Sequence, residues 1–135
     1  MLLRSNTSPP IFSVDLARFQ ALVIEASSRQ PILVDFCADW CGPCHTLSPH
    51  LERVVNELDG AIRLAKVALD GGDNMKLAAL FQLRAFPTVI LFHGTRELGR
   101  FSGARSTHQV RDWVIAHLTS GAPGPACPPH ADERD

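Results

Sequence analysis

The chain is 135 residues long, 45% hydrophobic and 20% charged, with 13 Lys+Arg against 14 Asp+Glu and a formal net charge of −1. Such a chain fits one domain that buries a core without disulfide staples or a structural metal, and chain-wide disorder is excluded. The neutral balance leaves no electrostatic footprint for nucleic acid and no polybasic membrane patch, and no stretch approaches the roughly 20 apolar residues of a membrane helix. Residues 1–10 read as polar and end in Pro9-Pro10, and residues 1–11 are expected to form a flexible lead-in to a domain over 12–118. Asp15 can cap a helix in which Leu16, Phe19, Leu22, Val23 and Ala26 recur at helical spacing, up to the break at Ser27–Pro31. Ile32-Leu33-Val34-Asp35-Phe36 is a short, almost continuous apolar run after a proline, the mark of a central strand buried on both faces. Leu47, Leu51, Val54, Val55 and Leu58 then predict a helix with Pro49 inside it, and Ile62, Leu64, Ala65, Val67 and Leu69 a second strand.

Asp73 or Asn74 can start a short helix through Leu77, Leu80 and Phe81. Pro87–Phe92 reads as a third strand, turning at Gly94-Thr95 into Glu97–Phe101. Ser106 with Gln109 fits a capping box before a last helix carrying Val110, Trp113, Val114 and Leu118. Strands alternating with helices imply a mainly parallel sheet covered on both faces. Residues 119–135, with Gly121, Pro123, Gly124, Pro125, Pro128 and Pro129, are expected to be a disordered tail.

The cysteines stand at 37, 41, 44 and 127, three of them clustered rather than spread as in a secreted disulfide scaffold. With no apolar run of signal-peptide length near the N-terminus, the expected setting is a reducing cytoplasm. Cys41 and Cys44 lie where the first buried strand gives way to a helix. The orphan amides and positive dipole end at that place stabilise a thiolate on Cys41, Pro43 suits the first helical turn, and Cys44 follows one turn on. Such a pair can form a disulfide reversibly. Two other chemistries use the same residues. Cys37, Cys41, Cys44 and His45 supply four nominal zinc ligands, against which stands the pleat that fixes Cys37. Cys41 through His45 also matches a c-type haem attachment pattern, which requires export and an open haem pocket. Asp35, an acid in an apolar strand, is expected to hold its proton above the usual carboxylate range. It serves either proton transfer or a structural pairing with Lys66.

The runs Ile32–Phe36, Ala38-Asp39-Trp40-Cys41-Gly42-Pro43-Cys44, Leu64–Asp70 and Arg84–Phe92, with Gly103 after the hairpin, resemble the thioredoxin family. The resemblance implies an α/β three-layer sandwich whose mixed sheet joins a parallel core to an antiparallel hairpin, with helices on both faces. It implies a protein disulfide reductase in which Cys41 is the nucleophile, Cys44 the resolving cysteine, Asp35 the proton acceptor for Cys44, and Lys66 a moderator of Asp35. Pro87 would be a cis-proline facing the disulfide. Trp40, Gly42, Pro43, Phe86, Gly103 and Ala104 would form an apolar docking surface, with the Phe86 backbone pairing to an extended substrate. No cofactor or metal is expected. The implied partners are disulfide-bearing client proteins and a thioredoxin reductase, with no nucleic acid or membrane, and the chain is expected to be monomeric. Departures from the family are Cys37 in place of an aromatic residue, His45 in place of Lys or Arg, Phe86 before the proline, and the Gly94-Thr95 hairpin. The segment Phe81–Thr88 also resembles the thioredoxin domain of chaperone-linked thioredoxins. That leaves a holdase using the apolar surface as the alternative, one that would keep working without Cys41 and Cys44.

Overall fold

A computed structural model describes residues 9–120 of the chain. The first eight residues and the Pro/Gly-rich stretch with Cys127 lie outside the described residues. Five strands form one sheet: β1 (Ile11–Ser13), β2 (Ile32–Cys37), β3 (Arg63–Ala68), β4 (Thr88–His93) and β5 (Arg96–Ser102), in the spatial order β1-β3-β2-β4-β5. Ile11, placed by sequence in the lead-in, is thus the first residue of a short edge strand, and Leu64 N donates to Pro10 O just before it at 2.7 Å.

The strand–helix alternation alone predicted a mainly parallel sheet; the sheet is mixed, as the family resemblance implied. β1, β3 and β2 run parallel, whereas β4 is antiparallel to β2 and β5 antiparallel to β4. Helix length accounts for the difference. The 16-residue α2 (Gly42–Glu57) is about 24 Å long, enough to carry the chain back along the sheet and start β3 beside β2 in the same direction. The six-residue α3 (Met75–Leu80) covers only about 9 Å, so the chain re-enters the sheet from the end at which it left.

The helices lie on both faces. On one face, α1 opens as α-helix over Leu16–Phe19, widens to a π-helix over Gln20–Glu25 and tightens to a 3-10 turn over Ala26–Ser28. With α3 it covers Ile32, Val34, Phe36, Ala65, Val67, Ile90 and Phe92. On the other, α2 and α4 (Thr107–Ser120) cover Leu33, Leu64, Val89, Leu91 and Phe101. The alternation along β2 follows the strand period of two, consecutive side chains pointing to opposite faces.

The predicted helix signals hold in detail. Asp15 accepts from Arg18 N at 3.1 Å, and Ser106 and Gln109 exchange both capping-box bonds. Asn74 behaves differently: it stands at the start of α3 without capping it. Its Oδ1 accepts from Leu16 N and its Nδ2 donates to Ala68 O, which ties the start of α1 to the end of β3. The hairpin carries positive φ at both Gly94 and Thr95, the pattern of a type I′ turn. The buried Ser27 holds it, its O accepting from Gly94 N and its Oγ from Thr95 N. That anchorage offsets the strain of a β-branched residue in the left-handed region.

Candidate active site

The site is built where β2 ends and α2 begins. Cys41 is the N-cap residue of α2, with an extended backbone (φ −100°, ψ 109°), and its Sγ accepts from Cys44 N at 3.3 Å. Cys41 and Cys44 are joined by a disulfide, their Cα atoms 5.3 Å apart. Gly42 and Pro43 are the first two residues of the helix, where a proline loses no intrahelical bond. Both cysteines are buried, while Gly42 and Pro43 are exposed. Opening the disulfide leaves the Cys41 sulfur against the first amides of a four-turn helix, which favour its anion.

Beneath the disulfide lies a cavity of about 440 Å³, bounded by β1, β2, β3 and the first half of α2. Asp35, Cys37 and Lys66 line it from the sheet, and Cys44 and Ser48 from the helix. Asp35 is 2% exposed and its Oδ1 has no hydrogen-bond partner. Burial pushes its carboxyl up to about 6 from the ordinary 3.8, opposed by interaction with the Cys37 thiol and the positive charge of Lys66, and reinforced by the negative charge of Glu52. Lys66 stands opposite Asp35 in the β2–β3 register, as the sequence implied. Its ammonium, however, pairs with Glu52 of α2.

Cys37 is half-buried and unpaired. It follows Asp35 by two on the same strand face, and burial together with the Asp35 charge pushes its thiol up to about 12. That makes it a poor nucleophile. Among the described residues no group of three or more His, Cys, Asp or Glu side chains could hold a metal ion. His45 turns its Nε2 to Asp39 O at 2.9 Å, bracing the loop before Cys41.

Trp40, directly before Cys41 in the chain, is 63% exposed and meets the ring of Phe86 edge-on at 5.8 Å. The Phe86–Pro87 peptide bond is cis, Pro87 is buried, and its carbonyl accepts from Gly103 N at 2.9 Å. Gly103 has φ +89°, a conformation that favours glycine. The sequence-predicted residues thus fall into two groups: Asp35, Lys66 and Cys44 around the cavity, and Trp40, Phe86, Pro87 and Gly103 linked to one another by a ring contact and a backbone hydrogen bond. Ala104 is exposed next to Gly103. Sequence reasoning missed Glu52. The signal was present in its spacing, since Cys44, Ser48 and Glu52 recur every four residues and so share one helix face.

The thioredoxin family model matches residues 10–116. A relative named "Probable thioredoxin-2" from Caenorhabditis elegans is 37% identical over 105 residues, 77% of this chain and 70% of its own length. "Thioredoxin" from Haemophilus influenzae is 31% identical over 108 residues, 80% of this chain and 97% of its own. "Bifunctional thioredoxin reductase/thioredoxin" from Mycobacterium leprae is 42% identical over 79 residues, 58% of this chain but only 17% of that protein. The chain belongs to the thioredoxin family, and Cys41 and Cys44 are the CxxC pair of a thioredoxin-type thiol–disulfide oxidoreductase.

Proposed function

We propose that the chain works as a protein disulfide reductase in which Cys41 attacks, Cys44 resolves and Asp35 takes the proton. In the reduced form the Cys41 thiolate attacks one sulfur of a client disulfide. The other client sulfur leaves as a thiolate, and a mixed disulfide remains on Cys41. Cys44 then yields its proton to the Asp35 carboxylate, and its thiolate attacks the Cys41 sulfur. The client leaves as a dithiol and the Cys41–Cys44 disulfide is restored. Two electrons have passed to the client, and a reductase must return them. The M. leprae relative, whose name joins a thioredoxin reductase to a thioredoxin, supports a thioredoxin reductase as that donor.

The observation that carries the role of Asp35 is its position: a buried carboxyl, its Oδ1 without a hydrogen-bond partner, lining the same cavity as Cys44. A carboxyl held near 6 is a serviceable base at neutral pH. The Trp40–Phe86 edge, continuous with Pro87 and Gly103, supports docking of an extended client segment against these residues. No helix among the described residues is long and apolar enough to cross a membrane. The clustered cysteines support a reducing setting such as the cytoplasm.

Trapping tests the assignment. Cys44→Ser is expected to stall clients on Cys41 as mixed disulfides recoverable by mass spectrometry, whereas Cys41→Ser should trap none. Equal trapping by both variants would overturn the roles. Asp35→Asn should slow client reduction at neutral pH by roughly a hundredfold, the scale of a lost general base. An unchanged rate would remove Asp35 from the reaction.

A further inference from the structure

Two carboxylates compete for one cation in this site. Lys66 is the register partner of Asp35 on the neighbouring parallel strand, and both side chains line the cavity. Yet its Nζ engages Glu52 Oε2, reached from α2 across the sheet face, while Asp35 Oδ1 goes without a partner. The side chains of Lys66 and Glu52 are 33% and 38% exposed, against 2% for Asp35. The ammonium therefore keeps part of its hydration when it pairs with Glu52 and would lose it by turning inward, which favours the outer pairing.

We infer that Glu52 is a positioning residue for the reaction: by holding the Lys66 ammonium at the cavity rim, it leaves the Asp35 carboxyl free to exchange a proton with Cys44. This rests on the acceptor role of Asp35 and adds to it what sets that acceptor's protonation. The other groups facing Asp35 do not substitute for Glu52. Cys37 lies beside it on β2, and β4 presents the apolar Val89 at the paired position. Elsewhere on the cavity wall, Asp15 and Arg18 neutralise each other at 3.3 Å. His45 is turned to Asp39 O, and Asp39 and Cys44 complete the titratable set. Removing the Glu52 charge acts on Asp35 twice in the same direction, since it deletes a nearby anion and releases a nearby cation.

The test is a carboxyl-carbon NMR titration of Asp35 in the full chain, run on the wild type, Glu52→Gln, Glu52→Asp, Lys66→Met and the double variant Glu52→Gln/Lys66→Met. Glu52→Gln is expected to lower the Asp35 midpoint by about one unit, a tenfold change in proton affinity. Glu52→Asp should return it most of the way. In the Lys66→Met background the effect of Glu52→Gln should shrink to a minor fraction. An Asp35 midpoint unmoved by Glu52→Gln overturns the inference, and so does a shift of equal size with and without Lys66. The pH profile of disulfide reduction on the same variants separates the two readings. A profile that stays put while the midpoint moves overturns the acceptor role of Asp35 and leaves the charge placement by Glu52 standing.

Discussion

The two faces of the sheet are built to different specifications. Under α1 and α3 the central strand β2 presents only the apolar Ile32, Val34 and Phe36, and Phe19, Phe36, Phe81 and Phe92 pack there in one aromatic group with ring centroids 5.5–6.2 Å apart. Under α2 and α4 the same strands divide along their length. Leu33 and Leu64 pack on Leu51, Val54 and Val55, but one pleat repeat further on, Asp35 and Lys66 take the inward places. There α2 presents Cys44 and Ser48 in place of leucine and valine, and a cavity takes the place of a close-packed core. The uniform face supplies stability. The divided face gives some of it up to keep a carboxyl in a place where water solvates it poorly and its proton is held near neutrality.

The contrast can be broken from either side. The largest effect belongs to the uniform face: Phe36→Ala removes a ring in contact with Phe19 and Phe81 and should lower the unfolding free energy by about 3–5 kcal/mol. The rate of client reduction by the folded fraction should be unchanged. Guanidinium melts with activity assays at low denaturant would check both, and a loss of turnover in the folded protein would show that the two faces are not separable.

On the divided face the sign reverses. The Asp35 carboxyl is held up at about 6 against an ordinary 3.8, so the folded state binds its proton more tightly than the unfolded chain. The stability this contributes is fully present below about pH 4 and is lost as the pH rises through 6. Asp35→Asn should therefore leave stability at pH 4 unchanged and raise it at pH 8 by at most about 3 kcal/mol, while slowing client reduction. Melts at the two pH values decide it, and a variant destabilised at pH 8 would contradict the account of a buried, poorly solvated charge. The smallest effect is at Cys37, whose thiol favours the charged form of Asp35. Cys37→Ala should move the Asp35 midpoint upward and leave the Cys41–Cys44 exchange competent, which the same NMR titration and a turnover assay would show.

Much of this was readable along the chain. The buried strand Ile32–Phe36, the helix after Cys44, the Ser106–Gln109 box and the Gly94-Thr95 turn announce themselves because each depends on residues a few positions apart, whose spacing is the geometry. The redox pair was legible for the same reason: three positions on, across the start of a helix, is the reach of a disulfide. The anomaly of Asp35 in an apolar run was visible too. What the chain order concealed was everything set by a partner far away in sequence. That β4 runs against β2 follows from how far α3 reaches, and a linear pattern of strands and helices does not record direction. The strand at Ile11–Ser13 is too short to show a period and exists because β3 offers it an edge. Asn74 reads as a helix cap, yet its amide is drawn to Leu16 and Ala68, which only the fold brings near. Lys66 and Asp35 were correctly placed side by side, but the ammonium's choice of Glu52 was decided by solvation at the cavity rim. The sequence by itself therefore determined the chemistry and the elements that carry it. The tertiary structure alone decided which charges meet, because burial and pairing depend on what packs across the sheet and not on what lies next along the chain.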